Sequence, residues 1–311
     1  MYSYKLLKRF VKDYKLPIQV VQEPYFSYFM NLYDSQYKTK EKFKLLEESR
    51  NKFNSDDEFL EEYYKIRDKV ITTIKALPEY KIYNEMDMKH FDILNYNFPK
   101  HDIFNMSNVG KYFISIDLKK ANFQALKWLN PELVLNCDSY KEFLSKFTDL
   151  EYMHNSKYLR EVIFGNMNPK RQVKVEKYMT NKILSLLLEY NTIKENEIRM
   201  FSNDELIFEK TATETYELFN DIRVTDVIKN QLDFDVDIEK FRLKNIKDST
   251  KYFVKEFINK QGYELMCIPL VYHSQVYKRY NNLPLGENDL VFFYENQVCK
   301  FIEPLKFEGE V

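Results

Sequence analysis

Two acidic positions carry the chemical interest of this sequence. Asp117 closes the apolar run Lys111-Tyr112-Phe113-Ile114-Ser115-Ile116-Asp117. Asp204 and Glu205 sit between the apolar stretches Ile198-Arg199-Met200-Phe201 and Leu206-Ile207-Phe208. A carboxylate at the end of a buried segment is costly unless it is paired or metal-bound. Two acids brought side by side repel, and a divalent cation relieves them. Mg²⁺ takes one or two carboxylates plus substrate phosphates. Two such ions about 3.5–4 Å apart can stabilise both the attacking and the leaving oxygen of a phosphoryl transfer. The acids therefore point to a two-metal nucleotidyl-transfer centre. A plainer account competes at each element alone. Asp117 would cap the following helix or pair with Lys119 and Lys120, and Asn203-Asp204-Glu205 would be only a turn.

The elements that must position these acids can be read from spacing. Gly110 and Asp117 bound a run rich in β-formers, which predicts a buried strand. Residues 198–209 predict a β-hairpin turning at Asn203-Asp204. Upstream, Ser55-Asp56-Asp57-Glu58 is a capping box. Phe59, Tyr63, Ile66, Val70, Ile74 and Leu77 then recur at helical spacing until Pro78 stops them. A second capping box, Ser139-Tyr140-Lys141-Glu142, predicts a helix through Phe143, Leu144 and Phe147. A long helix is expected over 171–190, with Val175, Met179, Ile183, Leu186, Leu187 and Tyr190 inward. Beyond residue 226 the pattern is mixed. Val236, Ile238 and Phe241 suggest a strand or short helix, and Leu290–Tyr294 and Val298–Ile302 suggest a second hairpin.

Composition narrows the function classes. The chain has 311 residues with 47 Lys+Arg against 48 Asp+Glu, a net charge of −1. A uniformly basic nucleic-acid coat is therefore not expected, although local basic faces remain open. Hydrophobic residues make up 44%, enough for a folded protein with a sizeable core. The five glycines are too scattered for a phosphate-cradling Gly-rich loop. Cys137, Cys267 and Cys299 form neither a zinc pair nor a disulfide framework. His90 and His101 have no metal-ligand spacing. No run approaches the roughly 20 apolar residues of a membrane span, and the start lacks the apolar core of a signal peptide. The expectation is a cytoplasmic protein with no membrane partner.

Taken together, the motifs resemble those of family A DNA polymerases. Asn203-Asp204-Glu205-Leu206-Ile207-Phe208-Glu209 is similar to that family's His-Asp-Glu-Leu-Val-Phe-Glu hairpin. Ile116-Asp117-Leu118-Lys119-Lys120-Ala121-Asn122-Phe123 stands where the family carries its first catalytic Asp, in Asp-Tyr-Ser-Gln-Ile-Glu. Lys157-Tyr158-Leu159-Arg160-Glu161-Val162-Ile163-Phe164-Gly165 resembles its fingers helix, with Arg160 in the place of a Lys one turn before Phe-Gly. The resemblance implies that Asp117 and Asp204 ligate two Mg²⁺ ions, with Glu205 as the supporting acid. It implies that Arg160 holds the triphosphate and that Phe164 packs against the incoming nucleotide, with Lys157 and Asn122 completing the nucleotide-binding set. A cation one turn before an aromatic shares its helix face, and Arg can bind phosphate bidentately. The chain departs from the family at Asn122, where a Glu helps exclude a ribose 2′-OH, at Asn168 in place of a Tyr, and at Asn203 in place of a His. The short interval between the two acids implies much reduced fingers.

Basic residues cluster between 156 and 182, where Lys157, Arg160, Lys170, Arg171, Lys174, Lys177 and Lys182 face only Glu161 and Glu176. Lys170, Arg171, Lys174 and Lys177 are the expected contacts to a nucleic-acid backbone. The segment 239–260 is also basic. A solvated lysine face is the alternative for both. The expected fold is α+β: a helical thumb-like region over 1–107, a polymerase-like palm with an antiparallel sheet and reduced fingers over 108–225, and a mixed C-terminal domain over 226–311. The expected function is a minimal Mg²⁺-dependent polymerase extending a nucleic-acid primer, on a template, with nucleoside triphosphates. Two rivals stand beside it: a template-independent or ribonucleotide transferase, and a degenerate palm that binds nucleic acid or assembles with other proteins without turnover.

Overall fold

A computed structural model describes residues 2–93, 98–99, 103–217 and 231–307. His101 and the expected boundary at 225/226 lie outside the described residues. The protein is α+β, with a helical N-terminal region, a six-strand antiparallel sheet and a small separate hairpin. No helix among the described residues is long and apolar enough to cross a membrane.

The N-terminal region comprises α1 (Tyr4–Asp13), α2 (Tyr25–Tyr37), α3 (Thr39–Arg50), α4 (Asp56–Ala76) and α5 (Pro78–Glu85). Ser55 caps α4 as its spacing predicts, accepting from the Glu58 N–H. The Glu58 carboxylate reaches back one residue further than the simple box, to the Asn54 N–H at 2.8 Å. Ser139 and Glu142 repeat this arrangement at α7 (Tyr140–Ser145), where Glu142 accepts from the Asp138 N–H. The helix stops short of Phe147.

One apolar cluster runs from α1–α5 into α6 (Ala121–Leu129), α7, α8 (Glu151–His154) and α9 (Lys157–Gly165). At its centre Asp13 is fully buried, accepting from the hydroxyls of Tyr63 (2.9 Å) and Tyr152 (2.7 Å). Those bonds tie α1 to α4 and α8, and they satisfy a carboxylate that would otherwise be prohibitive inside a core. Phe164 of α9 belongs to the same cluster. It is 0% exposed and lies 5.7 Å from Phe123, 6.1 Å from Tyr140 and 5.8 Å from Phe143 by ring centroid.

The sheet contains β1 (Tyr112–Leu118), β2 (Ile198–Phe201), β3 (Glu205–Lys210), β4 (Val236–Asn245), β5 (Phe253–Phe257) and β6 (Tyr263–Met266), in the spatial order β2-β3-β1-β4-β5-β6. The strand expected at 111–117 and the hairpin expected at 198–209 form where the apolar runs and the Asn-Asp turn place them. The strands beyond 231 extend the same sheet, because β4 pairs directly with β1. Strand side chains alternate between faces. Ile114, Ile116, Leu118, Leu206 and Phe208 therefore pack on one face against Val175, Met179, Ile183 and Leu187 of α10 (Pro169–Glu189). Leu186 is partly buried against this core as expected, whereas Tyr190, also expected inward, is exposed. Tyr190 falls at the end of the 3.6-residue stripe, beyond the part that the sheet covers. The opposite sheet face buries Phe113, Ile207, Phe241, Leu243 and Phe253 beneath Ile103 at one end only. The other end of that face stays polar. Further on come α11 (Ala212–Glu217), α12 (His273–Tyr280) and the hairpin β7 (Val291–Tyr294)–β8 (Gln297–Lys300). That hairpin turns through left-handed Glu295 and Asn296. Tyr277 and Val291 join the N-terminal core.

Because Phe164 fills the junction of α6, α7 and α9, its removal leaves a cavity rather than a relaxed surface. Phe164→Ala is expected to cost about 3–5 kcal/mol of unfolding free energy in a denaturant titration. A loss below about 1 kcal/mol would place the ring outside the core.

Candidate active site

Pairing of β1 with both neighbours sets the chemistry of the polar sheet end. Asp117 stands opposite Glu205 on β3 and opposite Asp237 on β4, and Ser115 stands opposite Glu239. Alternation sends all four carboxylates to the face away from α10. Asp204 immediately precedes β3, and its carbonyl accepts from the Leu118 N–H at 2.8 Å. Like charges directly across a sheet are unfavourable, so this row of acids needs a compensating interaction.

The sheet itself supplies part of it. Glu205 Oε1 accepts from Ser115 Oγ at 2.6 Å and lies 3.7 Å from Lys255 Nζ. Lys255 is buried on β5, its ammonium 5.1 Å from the Phe241 ring centroid. Glu239 is held by Lys260. Among the described residues, no ion pair reaches Asp117 or Asp204. Burial pushes the half-buried Asp117 carboxyl up to about 7, with Asp204 the strongest repelling charge, followed by Glu205, Asp237 and Glu239. Glu176 on α10 lies below the turn, where Thr180 Oγ1 donates to the Asn203 carbonyl at 2.9 Å. Burial and then the charge of Asp204 raise Glu176 to about 7 as well. Burial first, and the charge of Asp204 second, thus raises the carboxyls of both Asp117 and Glu176.

Cations approach from α6 and α9. Arg160 and Phe164 share one face of α9, and both meet Tyr140, at 5.8 Å and 6.1 Å from its ring centroid. Burial lowers the Arg160 guanidinium from its usual value, and Tyr140, Glu161 and Asp117 oppose that shift. Desolvation, Arg160 and Lys119 lower Lys120, and Asp237 opposes. Both cations therefore feel the acids of the sheet end while forming no ion pair among the described residues. Arg160 Nε, the Tyr140 hydroxyl and Asn122 Oδ1 are buried without hydrogen-bond partners. Unpaired buried polar atoms are rare.

The other expected site residues divide. Phe164 is closed inside the core and offers no ring face to a nucleotide, a correction to the role its resemblance implies. Its position one turn after Arg160 puts it on the same face but deeper. Lys157 is exposed at the first turn of α9. Lys170 is exposed, and Lys177 lies 6.0 Å from the Phe201 ring centroid. Arg171 donates to the Met86 carbonyl at 2.8 Å, and Lys174 pairs with Asp92 at 2.5 Å. Those two are engaged within the chain. Asp237, Glu239, Glu176 and Lys255 were not singled out as site residues from sequence, and Lys120, read there only as a partner for Asp117, makes no ion pair with it among the described residues. Asp237 and Glu239 left a signal: charge alternates with Val236 and Ile238 in the manner of a half-polar strand.

The carboxylate oxygens of Asp117 and Asp204 are hard donors suited to Mg²⁺. Among the described residues no three His, Cys, Asp or Glu side chains converge to hold an ion by themselves. Two carboxylates completed by substrate phosphates are the coordination Mg²⁺ commonly takes. The chain matches no protein-family model, no curated protein and no solved structure.

The raised carboxyls set a pH dependence. Asp117 and Glu176 bind protons more tightly folded than unfolded, so folding takes up protons between about pH 4 and 7. Stability of the metal-free protein should therefore fall as pH rises through that window. Thermal unfolding in EDTA from pH 5 to pH 8 is expected to show the fall. Asp117→Asn is expected to flatten it and to raise the midpoint at pH 8 by a few degrees. An unfolding midpoint that climbs with pH and drops in the variant would contradict this arrangement.

Proposed function

We propose that the protein is a Mg²⁺-dependent nucleotidyltransferase with a polymerase-like palm, extending a nucleic-acid 3′-OH with nucleoside triphosphates. The observation that carries this reading is the convergence of Asp117 and Asp204 at one sheet end, each without an ion-pair partner among the described residues, near the cations Arg160 and Lys120. Asp117 and Asp204 would hold the metal. When bound, Mg²⁺ would neutralise charge on the attacking and leaving oxygens of the transfer.

The chain's own residues would do the rest. Arg160 would grip the triphosphate, its unpaired Nε accounting for a donor that the folded chain leaves idle. Lys120 would add a second positive charge on the same side. Glu205 would act as a positioning acid, since Ser115 and Lys255 already hold it. Its negative charge would keep Asp117 and Asp204 receptive to cations. Exposed Lys157 and Lys170, with partly buried Lys177, remain available to a primer or template backbone.

Asn122 keeps the ribonucleotide alternative open. It supplies a buried, unpaired amide oxygen at the start of α6 where the resembling family carries a Glu. An acceptor there suits a sugar hydroxyl.

Primer extension tests the proposal. Wild-type protein with Mg²⁺, primed template and either dNTPs or NTPs is expected to incorporate. Asp117→Ala and Asp204→Ala are each expected to lose roughly a thousandfold in rate. Arg160→Ala is expected to act mainly on KM for the nucleotide, about tenfold or more. Equal extension by wild type and both Asp variants would refute it. Salt-sensitive nucleic-acid binding without turnover by the wild type would favour the non-catalytic alternative.

A further inference from the structure

A second concentration of charge lies away from the acidic sheet end, on the first helix. Lys5, Lys8 and Lys12 recur at spacings of three and four, so they stack on one face of α1. All three are exposed, while Leu6, Leu7 and Phe10 fill the core behind them. Among the described residues, none of the three makes an ion pair. Their neighbours do: Lys15 bonds Glu161 at 2.6 Å, and Arg9 approaches Asp13 at 3.9 Å. Asp57 and Glu61 lie across the cavity beside the ridge without pairing with these lysines among the described residues, so its three ammonium groups stay open to a ligand.

The ridge runs between two cavities. One, about 560 Å³, lies against α4 and is walled by Leu60, Tyr64, Asp57 and Glu61. The other, about 570 Å³, is largely apolar and runs past Val11 and Tyr158 to Leu270 and Phe293. Aromatic rings stand at the ridge itself. Lys12 Nζ is 4.2 Å from the Tyr158 ring centroid, Lys8 Nζ is 5.6 Å from that of Tyr4, and Tyr4 is 6.3 Å from Phe293. Tyr4 is exposed.

We propose that this ridge and its apolar cavity form a track for single-stranded nucleic acid, with phosphates on Lys5, Lys8 and Lys12 and bases against Tyr158 and Tyr4. Seven residues of helix carry the lysines over about 10 Å. At about 3.4 Å per nucleotide in a stacked strand, that length meets about three phosphates. The rings select the strand type. Stacking on aromatic side chains needs unpaired bases, which a duplex keeps hidden. An acidic polypeptide would satisfy the lysines and leave the rings unused. The track rests on the reading of the protein as one that acts on nucleic acid, and it adds where the strand is held. Helix α9 links the two regions: Tyr158 faces the ridge, and Arg160, two residues on, faces the acids. A strand on the ridge would lie one helix away from the candidate active site.

Fluorescence anisotropy with a labelled 20-residue oligothymidine in EDTA tests this without turnover. The triple variant Lys5→Gln, Lys8→Gln, Lys12→Gln alters only exposed helix positions, and circular dichroism checks its fold. It is expected to bind at least tenfold more weakly at low salt. Its slope of log affinity against log salt is expected to flatten by about 2, at about 0.7 per phosphate contact. Tyr158→Leu is expected to weaken single-strand binding severalfold and to leave duplex binding unchanged. The double variant Asp117→Ala, Asp204→Ala is expected to bind as wild type does, which separates the track from the active-site proposal. Unchanged affinity in the lysine variant would overturn the inference. So would preference for duplex, or displacement of the oligonucleotide by polyglutamate at equal charge concentration.

Discussion

The structure depends on one pairing: β1 runs antiparallel between β3 and β4, and its register puts Asp117 level with Glu205 and Asp237. Once that register is set, carboxylates must crowd one end of one face, because alternation leaves them nowhere else to point. A one-residue slip would relieve the crowding but would turn Ile114, Ile116 and Leu118 away from α10. Burial of those side chains outweighs the repulsion, since each is worth about 1.5–3 kcal/mol. The fold thus holds an electrostatic strain that it does not fully relieve. Lys255 and Ser115 hold Glu205, and Lys260 holds Glu239. Among the described residues Asp117 and Asp204 have no ion pair, and Asp204 accepts only a long bond from Ser202 Oγ at 3.4 Å.

The helical part of the molecule places the opposing charges. Phe164, Tyr140 and Phe123 lock α9 to α7 and α6, and that packing presents Arg160 toward the sheet. The aromatic face of α9 is structural at Phe164 and charged at Arg160, one turn apart. The Asp13 network plays a similar part for α1, fixing the helix whose outer face carries the lysine ridge. In both places a buried anchor orients a cation, half-buried at Arg160 and exposed along α1.

The sequence made the local devices plain. The boxes at Ser55 and Ser139, the stripe along α4 and the alternation of 111–117 all act within a few residues. The hairpin at 198–209 was legible for the same reason. The partners of Asp117 across the sheet were not, apart from Glu205. Asp237 lies far along the chain and is joined only by long-range pairing, and Lys255 reaches Glu205 through two further strands. Burial depth was hidden as well. Helical spacing correctly put Phe164 beside Arg160, but spacing carries no information on which of two residues on one face lies nearer the core. Tyr190 illustrates the converse, an aromatic residue on the helical stripe that the covering sheet leaves outside.

The central claim is that Asp117 and Asp204 together form a receptive site for divalent metal. Electron paramagnetic resonance of Mn²⁺ reads it directly, by titrating the ion into the protein with a nonhydrolysable nucleoside triphosphate and counting what is bound beyond nucleotide alone. Saturable uptake by the wild type, lost in Asp117→Asn and in Asp204→Asn but kept in Glu239→Gln, is the expected result. Uptake that is absent in the wild type, or that survives both aspartate changes, would contradict the account.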